Sequence, residues 1–259
     1  HELRTPLTQL RGYADVMDAL AQQGQITPEQ VSNLTTSLLS ASDRLDDIIS
    51  TMLDASQIDV DAMQLSFDDT SLEKVLRKAV DPYAEAMRER GQSLAVQGLR
   101  SVPSIHADRR RLTKAFRHLV NNAIKYTPDG GRVEIRARHL LRSDRRPESV
   151  EVLVSDSGVG IDPKYHELVF EKFFRIGSAD LHSSGSTKFM GAGPGLGLPI
   201  AKGVIVAHGG EIWVESAGFD MEACPGTTVH VILPLKPPAL SAAAAAELQK
   251  DALNFDPVA

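Results

Sequence analysis

Near the start of the chain, two runs of apolar residues repeat every 3.5 positions, a spacing that confines the segment to helices packed against other helices. In the first run, Leu3, Leu7, Leu10, Ala14, Met17 and Ala21 advance alternately by four and three. In the second, Val31, Leu34, Leu38, Ala41, Leu45, Ile48, Met52 and Ala55 do the same. Between them, Gly24 can end one helix, while Thr27, Pro28 and Gln30 supply an N-cap, an N1 proline and the third residue of a capping box. The spacing predicts a helical hairpin. Two helices share too little core to stand alone, so two copies are expected to pair as a four-helix bundle. Residues 57–69 are polar and acidic and read as a connector leading to a first strand near Met63–Phe67.

From about residue 70 the pattern becomes mixed. Helices are predicted over Leu72–Arg90, Arg109–Lys125 and Leu196–Ala207, and strands over Ser93–Val96, Arg132–His139, Val150–Ser155, Glu211–Glu215 and Thr227–Leu233. The expected fold is therefore multidomain: an all-α hairpin over 1–58, an α+β two-layer sandwich over 59–236, and a tail over 237–259 that carries no functional signal. The chain has 259 residues, with 28 Lys and Arg against 34 Asp and Glu, and its net charge of −6 argues against general binding of nucleic acid or anionic membranes. Cys224 is the single cysteine, which excludes a disulfide framework and a cysteine-rich zinc site. No apolar run is long enough to span a membrane, and the first residue is His1 rather than Met, so a cytoplasmic fragment of a longer protein is expected.

Three groups of residues could carry chemistry. At roughly 100° per residue, His1 and Thr5 fall away from the apolar seam of the first helix and face solvent. An imidazole there is partly neutral at cellular pH and can act as a nucleophile, with Glu2 beside it to accept its proton; a lone surface histidine without a role fits the same residues. Pro6 is expected to kink the helix below this site. In the second group, His118, Asn122 and Lys125 share one polar face of the helix that Asp108 caps, beside the buried stripe of Leu112, Ala115, Phe116, Leu119, Val120 and Ala123. An Asn amide oxygen suits Mg²⁺ and a Lys suits phosphate, although a solvated flank has the same composition. The third group is glycine-rich: Asp156, Gly158, Gly160 and Ile161 follow a strand, while Gly191, Gly193, Gly195, Leu196, Gly197 and Leu198 open a helix. Glycines let backbone approach a ligand and helix starts attract phosphate, but either cluster alone is equally a turn. Between the two lie Phe170, Phe173, Phe174 and Arg175, then a Ser/Gly-rich stretch, Gly177–Gly191, expected to act as a lid.

In this order the segments resemble the transmitter core of bacterial two-component sensor histidine kinases. His1–Leu7 is similar to the family's H-box, Asn122–Thr127 to its N-box, Asp156–Ile161 to its G1 box, Phe170–Arg175 to its F-box and Gly193–Leu198 to its G2 box. The resemblance implies a dimerisation and phosphotransfer domain joined to a Bergerat-type ATP-binding domain. It implies that His1 accepts the phosphoryl group from Mg²⁺-ATP, that Glu2 assists its deprotonation, and that Thr5 orients water for dephosphorylating the partner. Asn122 would bind Mg²⁺, Lys125 and Arg175 would meet phosphates, and Tyr126 would lie against the base. Asp156 would accept from the adenine amino group, with Gly158, Gly160 and Ile161 shaping the pocket and Thr227 as a further adenine contact. Gly193, Gly195 and Gly197 would let the lid fold over the phosphates, with Leu196 and Leu198 beside them among the nucleotide-binding residues. The implied partners are a second copy of the chain and the receiver domain of a response regulator. A sensory or membrane region upstream is also implied.

The sequence departs from the family pattern at two places within these motifs' surroundings. His118 stands where the N-box usually carries a second Asn and where water-using Bergerat ATPases place a Glu. Phe219–Pro225 lengthens the connection between the last two strands without an assignable role. Two rival readings follow. One is a Bergerat ATPase that uses water, which the H-box and the missing carboxylate at 118 oppose. The other is a nucleotide-binding scaffold or phosphatase-dominant sensor, for which His118 leaves room.

Overall fold

A computed structural model describes residues 3–24, 26–59, 65–142, 147–176, 189–190 and 195–237. The helical hairpin forms as its spacing predicts, with α1 over Arg4–Gln22 and α2 over Pro28–Asp59. Gly24 leaves α1 with φ of +64°. The capping box closes in both directions: Gln30 N donates to Thr27 Oγ1 at 3.2 Å and Thr27 N donates to Gln30 Oε1 at 2.9 Å. Pro6 does not break the helix. It lies in the first turn of α1, where the missing N–H interrupts no intrahelical bond.

The apolar seam of α1 is split. Pro6 is buried and Leu10, Tyr13, Met17 and Leu20 are half-buried on the side toward α2, whereas Leu3, Leu7, Ala14 and Ala21 remain exposed. On α2, Ala41, Ile48 and Ala55 of the predicted seam are buried. A second apolar face of α2, formed by Leu39, Ile49 and Leu53, is exposed and spans roughly 80° of the helix.

The remainder is the predicted sandwich. Its strands and helices run in the order β1 (Asp68–Thr70), α3 (Leu72–Val80), α4 (Ala84–Glu89), β2 (Ser93–Gln97), β3 (Ile105–Ala107), α5 (Arg109–Tyr126), β4 (Arg132–Leu140), β5 (Ser149–Asp156), α6 (Gly197–Ala207), β6 (Glu211–Glu215) and β7 (Thr227–Pro234). Five strands form one sheet in the order β2-β4-β5-β7-β6, with β2 parallel to β4 and the other pairs antiparallel. Alternation places Val133, Ile135, Val150, Val152, Val154, Val229 and Val231 on one face, under α3, α5 and α6.

Three expectations are corrected. Among the described residues the first strand is Asp68–Thr70 and not 65–67, Met63 and Gln64 of the predicted Met63–Phe67 lying outside the described residues; it pairs with β3, a three-residue strand too short to show alternation in the sequence. The predicted helix over 72–90 is interrupted by a 3₁₀ turn, Asp81–Tyr83, where Pro82 sits. The last helix starts at Gly197, one residue later than predicted.

A buried histidine joins α6 to the start of α5. Asp108 N donates to His208 Nε2 at 3.0 Å, so the ring proton resides on Nδ1, which donates to Val204 O at 2.7 Å. Burial pushes the His208 pKa down, against the carbonyl of Val204 and the charge of Asp108, and the ring is held neutral. Among the described residues no helix is long and apolar enough to cross a membrane.

Candidate nucleotide site

The helix α5 sets the site because both of its ends are tied down. At its start, the Asp108 carboxylate accepts from Arg110 N and Arg111 N, both at 2.9 Å, and from Ser66 N at 3.0 Å. Burial opposes its ionisation, but these N–H donors outweigh it and hold the carboxyl below the usual range. At its other end, each of the last four carbonyls finds a donor from outside the helical ladder. Ala123 O accepts from Thr127 Oγ1 at 2.6 Å, Lys125 O from Met190 N at 2.9 Å, and Tyr126 O from Val159 N at 3.1 Å. Ile124 O accepts from Arg90 Nη1 at 2.8 Å and Gln92 Nε2 at 3.0 Å, and the same two side chains reach Thr127 O. Arg90 thus also sets a cation at the negative end of the helix dipole. Asn122, Lys125 and Tyr126 sit on this fixed last turn. The Lys125 ammonium lies 4.8 Å from the Tyr126 ring centre.

Asp156 ends β5 and turns its carboxylate inward. Oδ1 accepts from Gly158 N at 2.8 Å and from Thr227 N at 3.3 Å. Although the residue is only partly buried, loss of solvation around the carboxyl outweighs both bonds and pushes its pKa up to about 7. A poorly solvated acceptor at a cavity wall is a group that gains from an incoming N–H donor. Gly158 has no alternative here: a Cβ would stand 2.4 Å from Tyr126 O and 2.7 Å from Asp156 Oδ1.

Gly195, with φ of +68°, leads into α6, and its carbonyl accepts from Phe173 N at 3.1 Å. A Cβ on Gly197 would lie 3.5 Å from His118 Nδ1, so the histidine at the N-box departure borders the start of α6. Phe170 is buried as an anchor and Arg175 lines the cavity. His1, Glu2, Gly193 and most of the predicted lid lie outside the described residues. Thr5 is exposed, as the helical wheel requires.

The structure thus brings Asn122, Lys125, Tyr126, Asp156, Gly160, Ile161, Arg175, Gly195, Leu196, Gly197, Leu198 and Thr227 to one cavity of about 1330 Å³. The hairpin closes its far side with residues that include Gln9, Tyr13, Thr36 and Ser40. Two lysines bond across this junction: Lys114 Nζ lies 3.4 Å from Ser50 Oγ, and Lys172 Nζ donates to Ala55 O at 3.0 Å. Sequence reasoning missed Arg90, Gln92 and Met190. Only the glycine at 91, which turns with φ of +60° between the two clamping side chains, marked the first pair.

Residues 107–237 match the model of the "Histidine kinase-, DNA gyrase B-, and HSP90-like ATPase" family, and residues 1–60 match the "His Kinase A (phospho-acceptor) domain". The chain belongs to the sensor histidine kinases. It is 32% identical over 244 residues to the histidine-protein kinase/phosphatase MprB of Mycobacterium leprae, covering 93% of this chain and 43% of that protein. It is 29% identical over 240 residues to the sensor histidine kinase WalK of Bacillus subtilis, covering 91% and 35%. The chain therefore spans less than half the length of these relatives. A solved mycobacterial MprB structure superposes with a TM-score of 0.51 at 30% identity, over 66% of this chain and 99% of that one. The Acinetobacter baumannii histidine kinase AdeS shares the fold, with a TM-score of 0.64 at 21% identity over 91% and 98%. These likenesses make the sandwich the ATP-binding domain of a transmitter core.

Proposed function

We propose that this chain transfers the γ-phosphoryl group of Mg²⁺-ATP to His1 and then to an aspartate on the receiver domain of a response regulator. The observation that carries the reading is the shared cavity, lined on one side by Asn122, Lys125, Asp156 and Thr227 and on the other by the hairpin that bears the H-box. In this reading the neutral imidazole of His1 attacks, Glu2 takes its proton, and Lys125 and Arg175 meet the charge of the phosphates. Asp156 accepts from the base amino group, Tyr126 and Ile161 lie against the ring, and Gly158 and Gly160 leave it room. Gly193, Gly195, Leu196, Gly197 and Leu198 border the phosphates, with Thr227 on the base side.

Among the described residues no three His, Cys, Asp or Glu side chains converge to hold a metal. A single amide oxygen from Asn122, completed by phosphate oxygens and water, is the donor set that Mg²⁺ accepts. Bound there, Mg²⁺ supplies neutralisation of phosphate charge. Thr5, exposed one turn beyond His1, suits orientation of water for dephosphorylating the partner.

The same reading divides the chain into a phosphotransfer domain over 1–58, an ATP-binding domain over 59–236 and a tail over 237–259. It makes the chain a homodimer through the exposed apolar faces of α1 and α2, working in the cytoplasm as part of a longer sensor. Incubation with γ-labelled ATP and Mg²⁺ tests it. The expected label is acid-labile and alkali-stable, is lost in His1→Gln, and falls by about 100-fold or more in Asn122→Ala. Label that survives His1→Gln would overturn the assignment of the acceptor.

A further inference from the structure

The loop between β6 and β7, whose length the family motifs leave without a role, folds onto the nucleotide cavity. Phe219 pairs with Gly160 in an antiparallel bridge, and Asp220 N donates to Val159 O at 2.8 Å. At the base of the loop, Ser216 Oγ accepts from Ile161 N at 2.9 Å and lies 2.7 Å from Gly226 O. The packing is close enough to require glycine at 160. Its φ is +75°, and a Cβ there would stand 2.0 Å from Gly218 O and 2.7 Å from Pro225 Cγ.

The loop is also fixed within itself. Asp220 Oδ1 accepts from Glu222 N and Ala223 N, both at 2.8 Å, and Cys224 N donates to Asp220 O at 3.2 Å. A loop so held presents its side chains in set directions at little further entropic cost. Phe219 lines the same cavity as Tyr126, Asp156, Ile161 and Thr227, yet is 44% exposed. Its ring is therefore spent on no core. Apolar area left to water on a rigid cavity wall gains when a flat heterocycle covers it.

We infer that Phe219 forms a wall of the nucleobase pocket and contributes to binding the purine of ATP, beyond the contacts of the family motifs. The inference rests on the reading of the cavity as an ATP site. It also assigns the insertion a purpose: the loop carries the aromatic ring to the Asp156 end of the pocket and braces the turn that shapes it.

Calorimetric titration of the full chain with ADP and Mg²⁺, and separately with tripolyphosphate as a probe without a base, tests the inference. Phe219→Ala is expected to raise the Kd for ADP by about 5- to 20-fold while leaving the Kd for tripolyphosphate within about twofold, and Phe219→Tyr to restore ADP binding. Equal weakening of both ligands, or no weakening of either, would overturn it, since a merely structural side chain does not distinguish a ligand with a base from one without. Should Phe219→Ala fail to fold, Phe219→Leu keeps apolar bulk without the ring, and the same ratio decides. A wild-type chain that binds no ADP would instead sink the ATP reading itself.

Discussion

The hairpin and the sandwich use apolar residues in opposite ways. In the sandwich, Leu72, Phe116, Ile135, Val152, Ile200 and Val231 are almost completely shielded and belong to one continuous core. In the hairpin, only Pro6, Ala41, Ile48 and Ala55 are buried among the described residues, while Leu7, Leu39, Ile49 and Leu53 stay exposed. The sandwich can hold a binding site rigid because its core is continuous and built almost entirely from its own residues, with Ala55 of α2 joining it at one edge. The hairpin turns one side of its surface to α6 and its surroundings and leaves another apolar face exposed, the face on which the proposed function seats a second copy. A phosphoacceptor that must be reached by a separate domain belongs on the second kind of element.

The sharpest way to break this contrast is to charge the exposed face of α2. Ile49→Asp with Leu53→Asp would strand carboxylates in the apolar interface proposed for the dimer, and its dissociation constant is expected to rise on the order of 100-fold or more. Sedimentation across a concentration series measures it. The sandwich should be unaffected, with ADP binding unchanged. A wild-type chain that remains monomeric at high concentration would remove the dimer from the proposed function.

Asp156 tests the other half of the contrast, a core rigid enough to hold a costly group. Its carboxyl ionises near pH 7 in the folded protein, against an ordinary value of 3.8. The folded state therefore holds the proton more tightly than the unfolded chain, and stability falls as pH rises from about 4 to 7. Asp156→Asn removes that loss and should gain on the order of 2 kcal/mol at pH 8, a figure already reduced for the solvent at the cavity mouth. The same change should weaken ADP binding by at least about tenfold, since the amide presents a weaker acceptor to the base. Urea titrations at pH 5 and pH 8 check the first part; an unchanged pH slope in the variant would show that the carboxyl is not strained.

Periodic features were legible in the sequence and spatial convergence was not. The seam of α1 and α2, the capping box and the alternation of β4, β5 and β7 each repeat often enough to be read along the chain. The pairing of β1 with β3 was not, because three residues give no period and the register joins Asp68 to Ala107 and Thr70 to Ile105 across a long stretch of chain, with a Thr70 Oγ1 bond to Ala107 O marking the contact. Among the residues that line the candidate site, Asn122, Lys125, Asp156, Gly160, Gly195 and Gly197 were legible because their chemistry is local. Arg90 and Gln92 were not. Their value lies in reaching the carbonyls of Ile124 and Thr127, 32 to 37 residues away, and Gly91 between them marks a turn but not the partner it serves. The same holds for Phe219, whose place at the cavity follows from a bridge to Gly160.

The smallest expected effect asks whether the two regions unfold together. Thr27→Ala deletes one half of the capping box at the start of α2 and should cost about 1 kcal/mol. Where that cost is felt depends on how firmly the far end of α2 is joined to the sandwich. Met52 and Ala55 pack against its core, and Lys172 Nζ bonds to Ala55 O, but the capping box lies at the opposite end of a 32-residue helix. Contacts at one end do not protect the other from fraying when the middle has few buried side chains. Amide exchange at residues 29–34 should therefore quicken about fivefold, as 1 kcal/mol requires, while exchange in β5 and β7 is unchanged. Equal acceleration in both would show one cooperative unit, and the contrast between a self-sufficient sandwich and a dependent hairpin would fail.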